Sequence, residues 1–128
     1  MLLNEGQSGG KSILQPASIE AMMQDGVGTN RVKKLKTVMP GLTRDVDFYP
    51  GIPKGWGISF LINEERTPTG RPAGTLMWAG LCYSYFWMDQ RNALGGVYMT
   101  HMFPFADHRS LPLFYDFEAA VYRRIQID

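Results

Sequence analysis

Between Gly74 and Met102 the chain reads GTLMWAGLCYSYFWMDQRNALGGVYMTHM, three runs rich in Trp, Tyr, Phe, Val and Met parted by two short breaks, Ala79-Gly80-Leu81 and Asp89-Gln90-Arg91-Asn92. β-branched and aromatic residues fit a pleated, half-buried surface, and breaks this short can join only neighbouring antiparallel strands. The segment is therefore expected to be a meander, and whatever else the chain contains must pack on that sheet.

The flanking text extends this frame. In Gly55 to Asn63, alternation predicts one strand with Trp56, Ile58, Phe60 and Ile62 on one face. Asn63 to Pro72, with Thr67-Pro68 and Gly70 as turn residues, predicts a polar hairpin loop. Pro16 or Ala17 should open a helix through Met23, since proline suits a first turn and Ile19, Met22 and Met23 form an apolar stripe. Ser110 is the expected N-cap of a final helix with Leu111, Phe114, Phe117 or Glu118, Val121 and Ile125 on its apolar side. Gly26 to Pro53 carries no period, and an irregular stretch of that length tends to be functional or tied to another segment. Within it, Tyr49-Pro50 is expected at the surface or over a site mouth.

Composition narrows the function classes. A chain of 128 residues supports one domain, and a domain of that size buries roughly two-thirds of its unfolded surface. With 13 basic and 12 acidic side chains there is no electrostatic footprint for nucleic acid or an anionic membrane, and the basic run Arg31 to Lys36 is expected to be a solvated face. The single Cys82 excludes an internal disulfide and a cysteine metal site, and is expected to be a small buried thiol. His101, Asp107 and His108 match no common metal spacing, so neither a metal nor another cofactor is expected. The paired acids Glu64-Glu65 and Asp45-x-Asp47 are expected to be solvated loop residues. No run reaches the roughly 18 apolar residues of a membrane span, and the expected location is cytoplasmic.

The order Ile13-Leu14-Gln15-Pro16-Ala17-Ser18, Gly55-Trp56-Gly57, Trp78-Ala79-Gly80 and the terminal helix from Leu111 to Arg124 resembles the C-terminal part of the serine β-lactamase/penicillin-binding-protein superfamily. The nearest likeness is to its class C-like (family VIII) carboxylesterases, and it covers nearly the whole chain. The resemblance implies an α+β fold, an antiparallel sheet of about three or four strands with helices packed against one face. It also implies that residues 1–128 are a single but incomplete domain. Trp78-Ala79-Gly80 would occupy the family's Lys-Thr-Gly position, on the strand that walls the acyl-binding cleft. The N–H of Leu81 would be one oxyanion-hole donor. Trp78 replaces a cationic lysine, which removes the partner for a β-lactam carboxylate and points to neutral ester or acyl substrates.

The family's nucleophile side is not matched. Its serine needs a lysine one helical turn on, S-x-x-K, and a tyrosine in Y-x-N or Y-x-S. None of Tyr49, Tyr83, Tyr85, Tyr98, Tyr115 and Tyr122 is followed two positions on by Asn or Ser. Ser8-Gly9-Gly10-Lys11 has the spacing, but two glycines oppose a helical turn. The same residues approximate G-x-S-x-G and a phosphate loop without the strand and helix those motifs require, so a Gly/Ser turn is the reading. No catalytic residue is assigned.

The expected function is thus that of a C-terminal fragment of a serine esterase, silent alone and active with its missing N-terminal half. The alternative is a non-catalytic binding or self-assembly module of the same fold. A homo-oligomer is expected in either case, because truncation would uncover strand edges and the aromatic side chains of Trp56, Phe60, Tyr83, Tyr85 and Trp87.

Overall fold

A computed structural model describes residues 1–125 of the chain. A 3-10 turn at Leu2–Asn4 leads into a hairpin of β1 (Gln7–Ser8) and β2 (Lys11–Ser12), then helix α1 (Pro16–Met23). An irregular segment runs to β3 (Lys54–Trp56), followed by β4 (Leu61–Asn63), β5 (Leu76–Gly80), β6 (Ser84–Asp89), β7 (Leu94–Tyr98) and helix α2 (Ser110–Ile125). Strands β3 to β7 form one antiparallel sheet in sequence order. The class is α+β with an antiparallel meander, as the sequence predicts. No described helix is long and apolar enough to cross a membrane.

The expected strand from Gly55 to Asn63 is in fact two. Gly57 N–H donates to Phe60 O at 2.9 Å, Ser59 takes a left-handed φ of 73°, and Ile58 is exposed, so the alternation is cut by a hairpin turn and the sheet has five strands rather than three or four. A β-carbon on Gly57 would lie 2.6 Å from Met22 O. The close approach of the end of α1 therefore requires glycine at the turn.

Helices cover both faces, not one. Leu61, Met77, Tyr85 and Trp87 face α2, whose Phe114 ring stacks on Tyr85 with centroids 4.7 Å apart. Adjacent strand residues point to opposite faces, so Phe60, Ile62 and Leu76 meet Leu2, Met22 and Met23 on the other side. The buried positions of α2 are Ser110, Phe114, Glu118 and Tyr122, and Phe117 and Ile125 of the expected stripe stay exposed. Its cap also differs from expectation. Asp107 Oδ1 accepts the N–H groups of Arg109 and Ser110, both at 2.9 Å, while the Ser110 hydroxyl is buried without a partner.

The irregular segment folds back over the sheet, burying Val46, Phe48 and Tyr49 in the α2-side core. Gly26 N–H reaches Trp56 O at 2.9 Å and Val32 N–H reaches Lys54 O at 2.8 Å, so it also covers the outer edge of β3. Between this segment, α2 and α1, Phe60, Tyr83, Tyr85 and Trp87 are buried and Trp56 half-buried, contrary to the expectation that they lie open. The acids expected to be merely solvated are staples for this segment. Asp45 pairs with Lys36 at 2.7 Å, Glu64 with Arg31 at 2.6 Å, and Asp47 with the buried Lys54 at 3.1 Å. The basic run is thereby largely neutralised within the chain.

Candidate functional site

Strand β5 ends in Trp78-Ala79-Gly80, and a turn over Leu81, Cys82 and Tyr83 brings Ser84 opposite Gly80. Cys82 and Tyr83 take left-handed φ values of 64° and 56°, and Cys82 is half-buried rather than buried. Trp78 is half-buried, held edge-on by Trp56 at 4.5 Å and by Phe48 at 6.3 Å between ring centroids. The turn throws Gly80 and the Leu81 side chain outward.

The facing wall comes from far away in sequence. Leu35 and Val46 exchange backbone hydrogen bonds at 2.7 and 3.0 Å. Phe105 N–H donates to Leu42 O at 2.8 Å, and its carbonyl accepts Arg44 N–H at 2.9 Å. These ladders set Leu35, Thr43, Phe48 and Phe105 across from Trp78, Ala79, Gly80 and Leu81, around a cavity of about 310 Å³. All four residues that the resemblance implied for the cleft wall thus line one cavity. Thr43 supplies its only hydroxyl, which is hydrogen-bonded to Thr37, and Trp78 its only side-chain N–H. Among the described turn and loop contacts Leu81 N–H donates to no acceptor.

Phe48 owes its place to the residue beside it. Tyr49 has a φ of 51° and is buried, not at the surface or over a site mouth. Its hydroxyl donates to Glu118 Oε2 at 2.9 Å on α2. Glu118 also accepts the Thr69 hydroxyl and lies 3.4 Å from Nη1 of the fully buried Arg71, whose guanidinium stands 4.8 Å from the Tyr49 ring centre. Burial pushes the Tyr49 phenol far above its ordinary value and moves Tyr115, whose hydroxyl accepts the Tyr49 N–H, up to about 12, so both stay protonated at neutral pH. Sequence periodicity gave no sign of this charged cluster. The arginine falls in a polar loop, the glutamate on the helix side read as apolar, and only the tertiary fold joins them.

Other candidates are placed elsewhere. Ser8 and Lys11 face each other across a two-residue β-turn at Gly9 and Gly10, both with positive φ, so the S-x-x-K spacing is a hairpin and not a helical turn. His101 and His108 are exposed, and Asp107 is engaged as the α2 cap. Among the described residues no group of three or more His, Cys, Asp or Glu side chains is placed to hold a metal ion.

No protein-family model matches the chain, and no curated protein matches it.

Proposed function

We propose that this chain forms the oxyanion-side wall and acyl pocket of a serine esterase of the β-lactamase-like type, with the nucleophile supplied by a segment outside these residues. The observation that carries the reading is the convergence of Trp78, Ala79, Gly80 and Leu81 on one apolar cavity. Apolar walls suit the acyl part of a neutral ester, and the Leu81 N–H would serve its carbonyl oxygen as that atom gains charge on attack. The cavity offers no cation to a carboxylate, since its lining contains no lysine or arginine. The chain's own Ser8 and Lys11 lie in an exposed hairpin outside that lining, so the chain alone binds but does not turn over.

The test is amide NMR of the chain titrated with a neutral alkyl phosphonate diester, a mimic of the tetrahedral ester intermediate. Saturable shifts at the Leu81 amide and the Trp78 indole, reduced in Trp78→Ala, are expected, together with no hydrolysis of a chromogenic butyrate ester. Shifts absent from both groups in the folded chain would refute the reading. The non-catalytic alternative gains ground if the cavity binds apolar ligands without any response at the Leu81 amide.

A further inference from the structure

A second site lies where the β4–β5 loop meets the C-terminal half of α2. Thr67 N–H donates to Arg71 O at 2.9 Å and Gly70 N–H to Thr67 O at 3.0 Å, which closes the loop into a tight turn. Thr67 and Thr69 share a hydroxyl hydrogen bond at 2.7 Å, and the Thr69 hydroxyl donates a hydrogen bond to Glu118. Gly70, with φ of 100°, sits so close to α2 that an added β-carbon would lie 3.1 Å from Tyr122 Cβ. The β6–β7 loop is fastened to the same helix. Asp89 accepts the Tyr122 hydroxyl at 2.9 Å and both the side-chain and main-chain N–H of Asn92, at 2.7 and 3.2 Å.

This framework carries Arg66, Arg91 and Arg123 around two adjoining hollows. One, of about 320 Å³, is lined by Arg66, Thr69, Gly70 and Arg123 among others; the next, of about 280 Å³, by Arg66, Pro72, Arg91 and Asn92 among others. Arg66, Gly70 and Tyr122 belong to both. Among the described residues no acidic side chain lines either hollow, and no carboxylate lies within ion-pair distance of these three arginines. The nearby acids are turned inward, Glu118 to Arg71 and Asp89 to Tyr122. Lys11, Lys33, Arg44, Arg109 and Arg124 also have no ion-pair partner among the described residues, so what sets this surface apart is the gathering of three arginines around two adjoining hollows.

Guanidinium groups match phosphate oxygens bidentately, and a rigid frame spares much of the ordering cost of binding. Each hollow has two arginines and Arg66 spans both, so the arrangement suits two phosphate groups joined by a short link. We propose that the Arg66–Arg91–Arg123 groove is a binding site for a small molecule bearing a diphosphate group. It is independent of the esterase reading, because none of its residues lines the apolar cavity.

Inorganic pyrophosphate is the probe, followed by calorimetry and by NMR of the arginine Nε–H signals. Pyrophosphate is expected to bind at least roughly tenfold more tightly than orthophosphate, and Arg66→Ala to weaken it by a further roughly tenfold, the scale of a lost charge-assisted contact. Arg91→Ala and Arg123→Ala should each weaken it several-fold, while Lys33→Ala, remote from both hollows, leaves it unchanged. Binding absent at millimolar pyrophosphate, or undiminished in Arg66→Ala, overturns the proposal. So does equal affinity for orthophosphate and sulfate, which would mean diffuse anion attraction. Preferential binding of anionic vesicles or single-stranded RNA that pyrophosphate fails to displace overturns it as well.

Discussion

Glu118→Gln should be among the most damaging isosteric changes in the chain. The substitution keeps shape and size but removes the anion that accepts the Tyr49 hydroxyl at 2.9 Å and faces Arg71 Nη1 at 3.4 Å. Arg71 is fully buried, and its Nε and Nη1 have no hydrogen-bond partner, so only the Met77 sulfur at 3.0 Å and the Tyr49 ring at 4.8 Å remain to offset its charge. At an effective dielectric of about 20, two unit charges that far apart interact by about 5 kcal/mol. Breaking a buried pair by removing one partner typically costs about 3–5 kcal/mol. The two figures agree, and the loss is a large share of the roughly 5–15 kcal/mol that holds a domain together. Urea unfolding followed by tryptophan fluorescence is the assay. With an m-value of about 2 kcal/mol/M, a loss of 4 kcal/mol lowers the midpoint by about 2 M. Replacing both partners, Arg71→Met with Glu118→Leu, should bring stability back to within about 1–2 kcal/mol of the parent, since well-packed apolar side chains substitute for buried pairs at little cost. A Glu118→Gln midpoint shift below about 0.5 M, or additive losses in the double variant, would refute the account of this cluster as one coupled unit.

Gly96→Ala is expected to destabilise by about 1–3 kcal/mol through overpacking, because its β-carbon would stand 2.0 Å from Trp87 Cη2 while that indole is fixed between Phe114 and Phe117; Trp87→Phe in the same chain should recover part of the loss on urea unfolding. Asp45 gives a pH signature. The Lys36 ammonium hydrogen-bonded to it, with the Thr37 N–H, holds its carboxyl down to about 2 against an ordinary 3.8. The unfolded chain therefore takes up that proton first as pH falls, and Asp45's contribution is complete above the ordinary value and fades toward pH 2. Thermal melts of Asp45→Asn should differ from the parent at neutral pH and converge with it in that acid window; a difference that does not vary with pH would defeat this. Ser8 should stay unmodified by a fluorophosphonate, since it and Lys11 lie in an exposed hairpin; stoichiometric labelling at Ser8 abolished by Lys11→Ala would show a working pair.

The meander was legible because strand propensity and short breaks are local properties. Once Trp, Tyr and Phe runs are separated by three or four turn residues, antiparallel pairing of neighbours is the arrangement the chain can reach, and β5, β6 and β7 lie within the segment read for them. Helix α1 was legible for the same reason, with proline at its start and its bounds at Pro16 and Met23 as expected. The turn at Gly57–Phe60 was not, since alternation over a glycine-bearing run is the same whether the strand continues or folds back, and the approach of Met22 O decides it. Local sequence likewise set Trp78, Ala79, Gly80 and Leu81 side by side at a strand end, but nothing local says what faces them. Leu35, Thr43, Phe48 and Phe105 reach the same cavity through backbone pairings between residues far apart in the chain, and Phe48 is held there by Tyr49 bonding to a glutamate on α2. Side-chain period and turn chemistry act over a few residues and are written in the sequence. Which loop closes a cavity, and which buried charges meet, depends on contacts between distant residues that exist only once the sheet and α2 have packed.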